Sequence, residues 1–388
     1  MPPPARHFTR RQFLAMSAAA AALPLAGRAG SAAADKPAER DPEFYRDWLG
    51  TTLVHGRYHL TEKPNLIEGA EQMLALGTRV GKFWFEPHRA PRDNAWNSDW
   101  PAMRTLVDLA DSPYWRRVFA LPFRTLFLVT HAPAEAGWKE AQPDEYYERI
   151  SAEWEELVRH LYAQWTERPL TIVLQNWEGD WQLRGAGEPW DPPPENWRQV
   201  CERFTRRLEA RQRGVTRGRA TAPAGAALRV VHAAEVNRVA DGWKGIPTMT
   251  EHVLPHVALD LVSYSCYDAM ENAAVLQRAL ATIRAHAHTE GPWGAGAVYL
   301  GEIGIPENLR PERIAERWDE LLRAAADAGV LWAVQWQLYC NELDTRHAGP
   351  RPSGPVRDPA RLRGYWLLRP DGSLSETGRH FVRLWQGS

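Results

Sequence analysis

Eight short apolar runs, each followed by a segment of helical periodicity, recur along this chain, and that alternation restricts its fold more than any other feature. The runs are 51–55, 79–85 (RVGKFWF), 124–130 (RTLFLVT), 170–176, 228–233, 260–265, 297–301 and 331–336 (LWAVQW). Each is short for a buried helix and rich in β-branched or aromatic residues, the pattern of a strand covered on both faces. Between them, 64–77, 143–166, 195–213, 272–288 and 311–329 carry helix-like spacing, and a last helix is expected near 375–386. Strand-then-helix repeated eight times in about 350 residues predicts an α/β fold, a single (β/α)8 TIM barrel. The stretch RGVTRGRATAPAGAA at 213–227 is the one linker-like segment. Because it falls between a helix and a strand, it reads as a surface connection rather than a domain boundary.

Residues 1–34 do not belong to this alternation. Arg10 and Arg11 precede Phe13 and Leu14, a weakly apolar stretch and an Ala32-Ala33-Ala34 run suited to cleavage before Asp35. This is the layout of a twin-arginine export signal. Its apolar run, broken by Pro24 and Arg28, is too short to span a bilayer. The expectation is therefore a barrel domain over 35–388 that folds before export, meets the twin-arginine translocase only in transit, has no stable membrane insertion, and works in the periplasm or outside the cell. Residues 1–34 hold Arg6, Arg10, Arg11 and Arg28 and no acid, so 43 basic groups face 48 acidic ones in the remainder, a formal charge of −5. That balance argues against nucleic acid as a partner. Cys201, Cys266 and Cys340 lie far apart with no paired spacing, which argues against a zinc ribbon or a disulfide framework and leaves a single bridge open.

In such a barrel the chemistry sits at the carboxyl ends of the strands. Two glutamates stand there: Glu178, after the fourth run in TIVLQNWEGDW, and Glu302, ending the seventh in VYLGEIGIPEN. A carboxylate in an apolar setting must be paired or used, because isolated burial is costly. Paired carboxylates across a pocket are what cleavage of a glycosidic bond requires, one protonating the leaving oxygen and the other stabilising or capturing the cationic sugar carbon.

QNWEGD, GEIGIPE, VQWQLYCNE and the ending GYWLLRPDGSLSETGRHF together resemble clan A glycoside hydrolases, (β/α)8 enzymes whose acid/base and nucleophile glutamates follow strands four and seven. The resemblance spans nearly the whole chain after residue 34. It implies that Glu178 is the acid/base, Glu302 the nucleophile, Trp336 the platform beneath the sugar and Asn176 a sugar-binding residue. It also implies a retaining glycosidase acting on an oligosaccharide, polysaccharide or glycoside with no metal or organic cofactor. One departure is the Trp177 that separates Asn176 from Glu178, where the family places Asn directly before the acid. Regular strand geometry leaves Asn176 and Glu178 on one face with Trp177 turned outward, and a bulge would change that.

Other strand-end groups fill out the candidate site. His131 follows the third run, and Tyr264 and Tyr267 surround the end of the sixth, where each can orient the nucleophile or contact hydroxyls. Lys82 alternates with Phe83 on the second run and can point inward to pair with a catalytic acid. Glu86 and Asp180 read as solvated loop charges, and Glu235 is the rival acid should Glu178 be structural. The 19 tryptophans exceed what a barrel of branched aliphatics demands. Trp96, Trp100, Trp177, Trp181 and Trp190 fall in loops expected at the catalytic face, Trp177 and Trp181 flanking Glu178 and Trp181 taken as a substrate contact, and indole faces stack on sugar rings. Two alternatives remain. A metal-dependent hydrolase barrel would want a His-x-His after strand one and histidines on strands five and six, whereas this chain has HGRYH at 55–59 and His232. A non-catalytic exported carbohydrate-binding barrel would have the two glutamates pointing apart.

Overall fold

A computed structural model describes residues 40–185, 190–346 and 352–387; the export signal expected at 1–34 lies outside them. Strands β1 (Leu49–Leu53), β2 (Val80–Phe85), β3 (Thr125–Thr130), β4 (Leu170–Gln175), β5 (Leu228–Val236), β6 (Leu261–Ser265), β7 (Val298–Ile303) and β8 (Ala333–Gln335) pair in chain order, all parallel. Strand β8 pairs back onto β1, Ala333 opposite Leu49, and closes the barrel. This is the (β/α)8 fold expected from the alternation, in a single domain. Helices Asn65–Leu76, Asp144–Trp165, Trp197–Arg219, Ala273–His286 and Ile314–Asp327 stand outside it. Helix Glu376–Gln386 packs against the entering helix Pro42–Trp48 and donates from Trp385 Nε1 to the Leu49 carbonyl at 3.0 Å.

Among the boundaries that differ from the sequence reading, two bear on how the barrel is packed and where its acids lie. The segment at 213–227 is a loop only in its second half, because the helix runs on to Arg219. Its glycines are packing residues: a β-carbon on Gly214 would overlap the Ser151 carbonyl, and one on Gly218 would press on Val158, so glycine lets this helix lie close against Asp144–Trp165. Strand β5 continues to Val236 and carries Glu235 inside the sheet rather than beyond it.

The barrel interior changes character from bottom to top. Phe127 of β3 and Tyr299 of β7 stack at 4.6 Å although their strands are not neighbours, so this contact crosses the interior. Trp332 closes the floor edge-on to Phe127 at 5.5 Å. Above that apolar layer the side chains turn polar, and the layer ends in buried carboxylates. Most of the tryptophans are buried. Trp115, Trp154, Trp318, Trp366 and Trp385 are among the largest fully buried side chains. Cys201, Cys266 and Cys340 are buried and unbridged. Among the described residues no helix is long and apolar enough to cross a membrane.

Candidate active site

The turn after β4 sets the first carboxylate. The strand stops at Gln175, and the backbone at Glu178 takes φ +25°, in the left-handed region that a residue with a β-carbon seldom enters. The simple alternation expected for Asn176 and Glu178 is therefore broken. Two contacts hold the turn. Asn176 clamps the Glu235 main chain, its Oδ1 accepting from the Glu235 N–H at 3.0 Å and its Nδ2 donating to the Glu235 carbonyl at 3.1 Å. The Glu178 N–H donates to Glu235 Oε1 at 3.0 Å. Gly179 follows against the same strand, where a β-carbon would overlap Met249 Sδ and crowd the Glu235 carbonyl. The side chain of Glu178 is 3% exposed. Its Oε1 accepts from Ser265 Oγ at 2.8 Å.

The second carboxylate belongs to β7. Ser265 is paired with Glu302 in the β6–β7 ladder, so one serine stands beside both acids. Below them lies a buried charge network. Lys82 Nζ donates to Glu235 Oε2 at 3.0 Å, to the Gly301 carbonyl at 3.0 Å and to Glu302 Oε1 at 3.2 Å. Burial alone would lower the Lys82 pKa, but the Glu235 carboxylate, and then Glu302, outweigh it and raise it above the ordinary lysine value. Glu235 Oε2 also accepts from Gln175 Nε2 and Ser263 Oγ, both at 2.7 Å, and Tyr299 Oη donates to Gln175 Oε1 at 2.5 Å. Gly301 makes room for this network, since a β-carbon there would overlap Ser263 Oγ and Glu235 Oε2.

A pocket of about 230 Å³ opens beside Glu178, with Trp181, Tyr267, Gly304, Arg363 and Tyr365 among its walls. Gly304, two residues after Glu302, lies against the Trp336 carbonyl, the Tyr365 ring and Tyr267 Oη. Trp336 is buried edge-on to Trp84 at 5.7 Å and donates from Nε1 to Glu342 Oε1 at 3.3 Å.

Several residues singled out in the sequence stand elsewhere. Tyr264 is fully buried and donates to Asp268 Oδ1 at 2.6 Å, outside the pocket wall. His131 bridges Glu86 Oε1 at 3.1 Å and Gln182 Oε1 at 3.3 Å behind the β4 turn. Glu86 and Asp180 are buried, not solvated. Asp180 accepts from the backbone N–H groups of Asn237 at 3.0 Å and Met249 at 2.7 Å, tying the loop after β5 to the Glu178 turn. Of the loop tryptophans, Trp181 lines the pocket, whereas Trp96 anchors to the Gly56 carbonyl at 2.9 Å and Trp190 is buried against Trp197. His232 faces outward between Trp154 and Gln212, away from His55 and His59. Among the described residues no group of three or more His, Cys, Asp or Glu side chains is placed to hold a metal ion.

The sequence reading passed over Gln175, Ser263, Ser265, Gly301 and Tyr365. For two of them a signal existed: in LVSYS, Ser263 and Ser265 sit two apart, hence on one face of the strand, in an otherwise apolar run.

A closed eight-stranded parallel barrel with buried carboxylates at the carboxyl ends of its strands puts this chain among the (β/α)8 barrels. No family model and no curated protein sequence matches it. Among solved structures, the exo-β-1,4-mannosidase of Opitutaceae bacterium strain TAV5 superposes with a TM-score of 0.50 at 12% identity, over 87% of this chain and 59% of that one. The endo-β-1,4-mannanase of Thermotoga petrophila superposes with a TM-score of 0.50 at 13% identity, over 88% of this chain and 77% of that one. The likeness is one of fold, and this chain spans 59% of the mannosidase's length.

Proposed function

We propose that this protein is an exported retaining glycoside hydrolase that uses Glu178 as acid/base and Glu302 as nucleophile. The observation that carries the reading is the shared serine: Ser265 is the ladder partner of Glu302 and donates to Glu178 Oε1 at 2.8 Å, at the edge of an aromatic-walled pocket. This arrangement does not favour a binding barrel with diverging acids. Glu235 is the weaker candidate for the acid, because Lys82, Gln175, Ser263 and the Glu178 N–H already occupy its carboxylate.

In this mechanism Glu178 gives its proton to the glycosidic oxygen while an oxygen of Glu302 bonds to the anomeric carbon and the bond to the leaving group breaks. Water then attacks that carbon, passes a proton to Glu178 and releases Glu302. Retaining enzymes hold the two carboxyls about 5–5.5 Å apart and inverting ones roughly 6.5–9.5 Å; a serine bonded to Glu178 and opposite Glu302 on the neighbouring strand supports the retaining reading. Lys82 supplies the positive charge that a buried nucleophilic carboxylate needs beside it. The sequence of residues 1–34 supports export.

The test uses a panel of aryl glycosides, β-mannosides among them because the two similar folds are named for that linkage. Glu302→Ala should suppress turnover of every substrate. Glu178→Ala should cost about 10²–10⁴-fold on poor leaving groups and far less on good ones. The first-formed sugar anomer, followed by NMR, should be retained, and a fluorinated substrate analogue should label Glu302. Equal losses on both kinds of leaving group, an inverted product or a label on another residue would each end this assignment.

A further inference from the structure

We infer that the substrate carries a negatively charged substituent, a carboxylate or a sulfate ester, on the sugar ring held beside Glu178. The inference rests on the glycoside-hydrolase reading and names the substrate class of the same site.

Among the described residues, three arginines, Arg310, Arg317 and Arg363, line the pocket, with Glu178 its only carboxylate wall. Their surroundings differ. Arg363 is buried and its Nη1 donates to Glu342 Oε2 at 2.6 Å, so its charge is met. Arg317, on helix Ile314–Asp327, donates from Nη2 to the Met270 carbonyl at 3.2 Å, a neutral acceptor, and its Nε is buried with no hydrogen-bond partner among the described residues. Arg310 stands exposed at the rim. Glu307, Glu316 and Glu320 of the same loop and helix are turned to other duties. Glu307 accepts from Trp366 Nε1 and the Thr377 N–H, Glu316 faces Arg313 at 3.7 Å, and Glu320 accepts from the Ala273 N–H.

Guanidinium groups offer only donors, in a fork that matches carboxylate and sulfate oxygens. A neutral sugar, which presents hydroxyls, gains as much from amides and acids. Within the described residues the Arg317 guanidinium meets a neutral carbonyl rather than an acid, which leaves its charge for a bound anion to balance. Pocket size agrees: about 230 Å³ is below the roughly 300–1,000 Å³ of sites for drug-sized ligands and suits a single ring.

The experiment compares kcat/KM of the enzyme on 4-nitrophenyl glycosides matched except at C6, as the free hydroxymethyl, the carboxylate and the 6-sulfate, in gluco, galacto and manno series. One anionic member should exceed its neutral counterpart by about tenfold or more. That advantage should shrink by about tenfold in Arg317→Gln and by less in Arg310→Gln, since a charge-assisted hydrogen bond is worth about one such factor. Arg310 is exposed, so its variant carries the test if Arg317→Gln fails to fold. The carboxylate and sulfate arms separate the two anion sources. Neutral and anionic partners cleaved equally, or a preference that survives both substitutions, would overturn the inference and leave the hydrolase reading standing. If no glycoside is cleaved, calorimetric titration with D-glucuronate, D-galacturonate, D-mannuronate and glucose 6-sulfate against D-glucose decides. Anion binding that Arg317→Gln abolishes upholds the anionic site while removing the hydrolase reading, and absence of such binding overturns both.

Discussion

Lys82 is the residue on which the site turns, because a single ammonium is shared by two buried carboxylates from strands that never touch in the sheet. Removing one charge from such a group leaves the others buried and less well paired, which costs about 3–5 kcal/mol in comparable cases. Glu235→Gln keeps the side-chain volume and leaves Glu302 to Lys82, so the expected loss is at the low end, about 3 kcal/mol, read from urea unfolding at neutral pH. A loss below about 1 kcal/mol would mean that the pair is solvated and the network does not hold the site. The pH dependence has a definite sign. The folded-state pKa of Lys82 lies above its ordinary value, so its contribution is complete below about pH 10.4 and is lost as the pH rises through the raised value. The stability gap between the wild type and Glu235→Gln should therefore be constant from neutral pH to about pH 10 and narrow above it.

Strand ends carry the next level of constraint. Strand β7 presents Gly301 where every alternative places a β-carbon on Ser263 Oγ and Glu235 Oε2, and neither of those atoms can retreat without giving up a bond to the network. Gly301→Ala should destabilise the fold by about 1–3 kcal/mol, the usual range for overpacking. It should also lower kcat more than it raises KM, because Glu302 is the next residue; unchanged kcat with a wild-type unfolding midpoint would refute the packing argument. Much of this level was legible in the sequence. Buried strands and amphipathic helices write their period locally, so the eight strands and the six longest helices could be read off the chain, whereas helices of eight residues or fewer, such as Pro42–Trp48 and Pro113–Ala120, could not. The 213–227 segment misled because glycine punctuates a loop and also lets two helices approach, and the letters do not say which role it has. Asn176, Trp177 and Glu178 misled for a related reason: the alternation rule holds while the strand lasts, and β4 ends one residue before Asn176.

At the scale of the whole molecule, closure of the barrel and export are separate matters. The barrel closes through β8 on β1, with the two terminal helices packed over the seam. The proposed export rests on Arg10 and Arg11, outside the described residues. Arg10→Lys combined with Arg11→Lys should abolish appearance of the protein outside the cytoplasm in cell fractionation while leaving the unfolding midpoint of the barrel unchanged; unimpaired export of that double variant would remove the localisation claim. By itself the sequence determined the number, order and kind of the barrel's units and pointed to Glu178 and Glu302, because strand and helix periods and strand-end positions are properties of neighbouring residues. Only the tertiary structure decided how those acids are held. Lys82 lies 153 positions from Glu235 and 220 from Glu302, and only a closed barrel can bring the three within hydrogen-bonding distance while excluding the water that would otherwise solvate each charge.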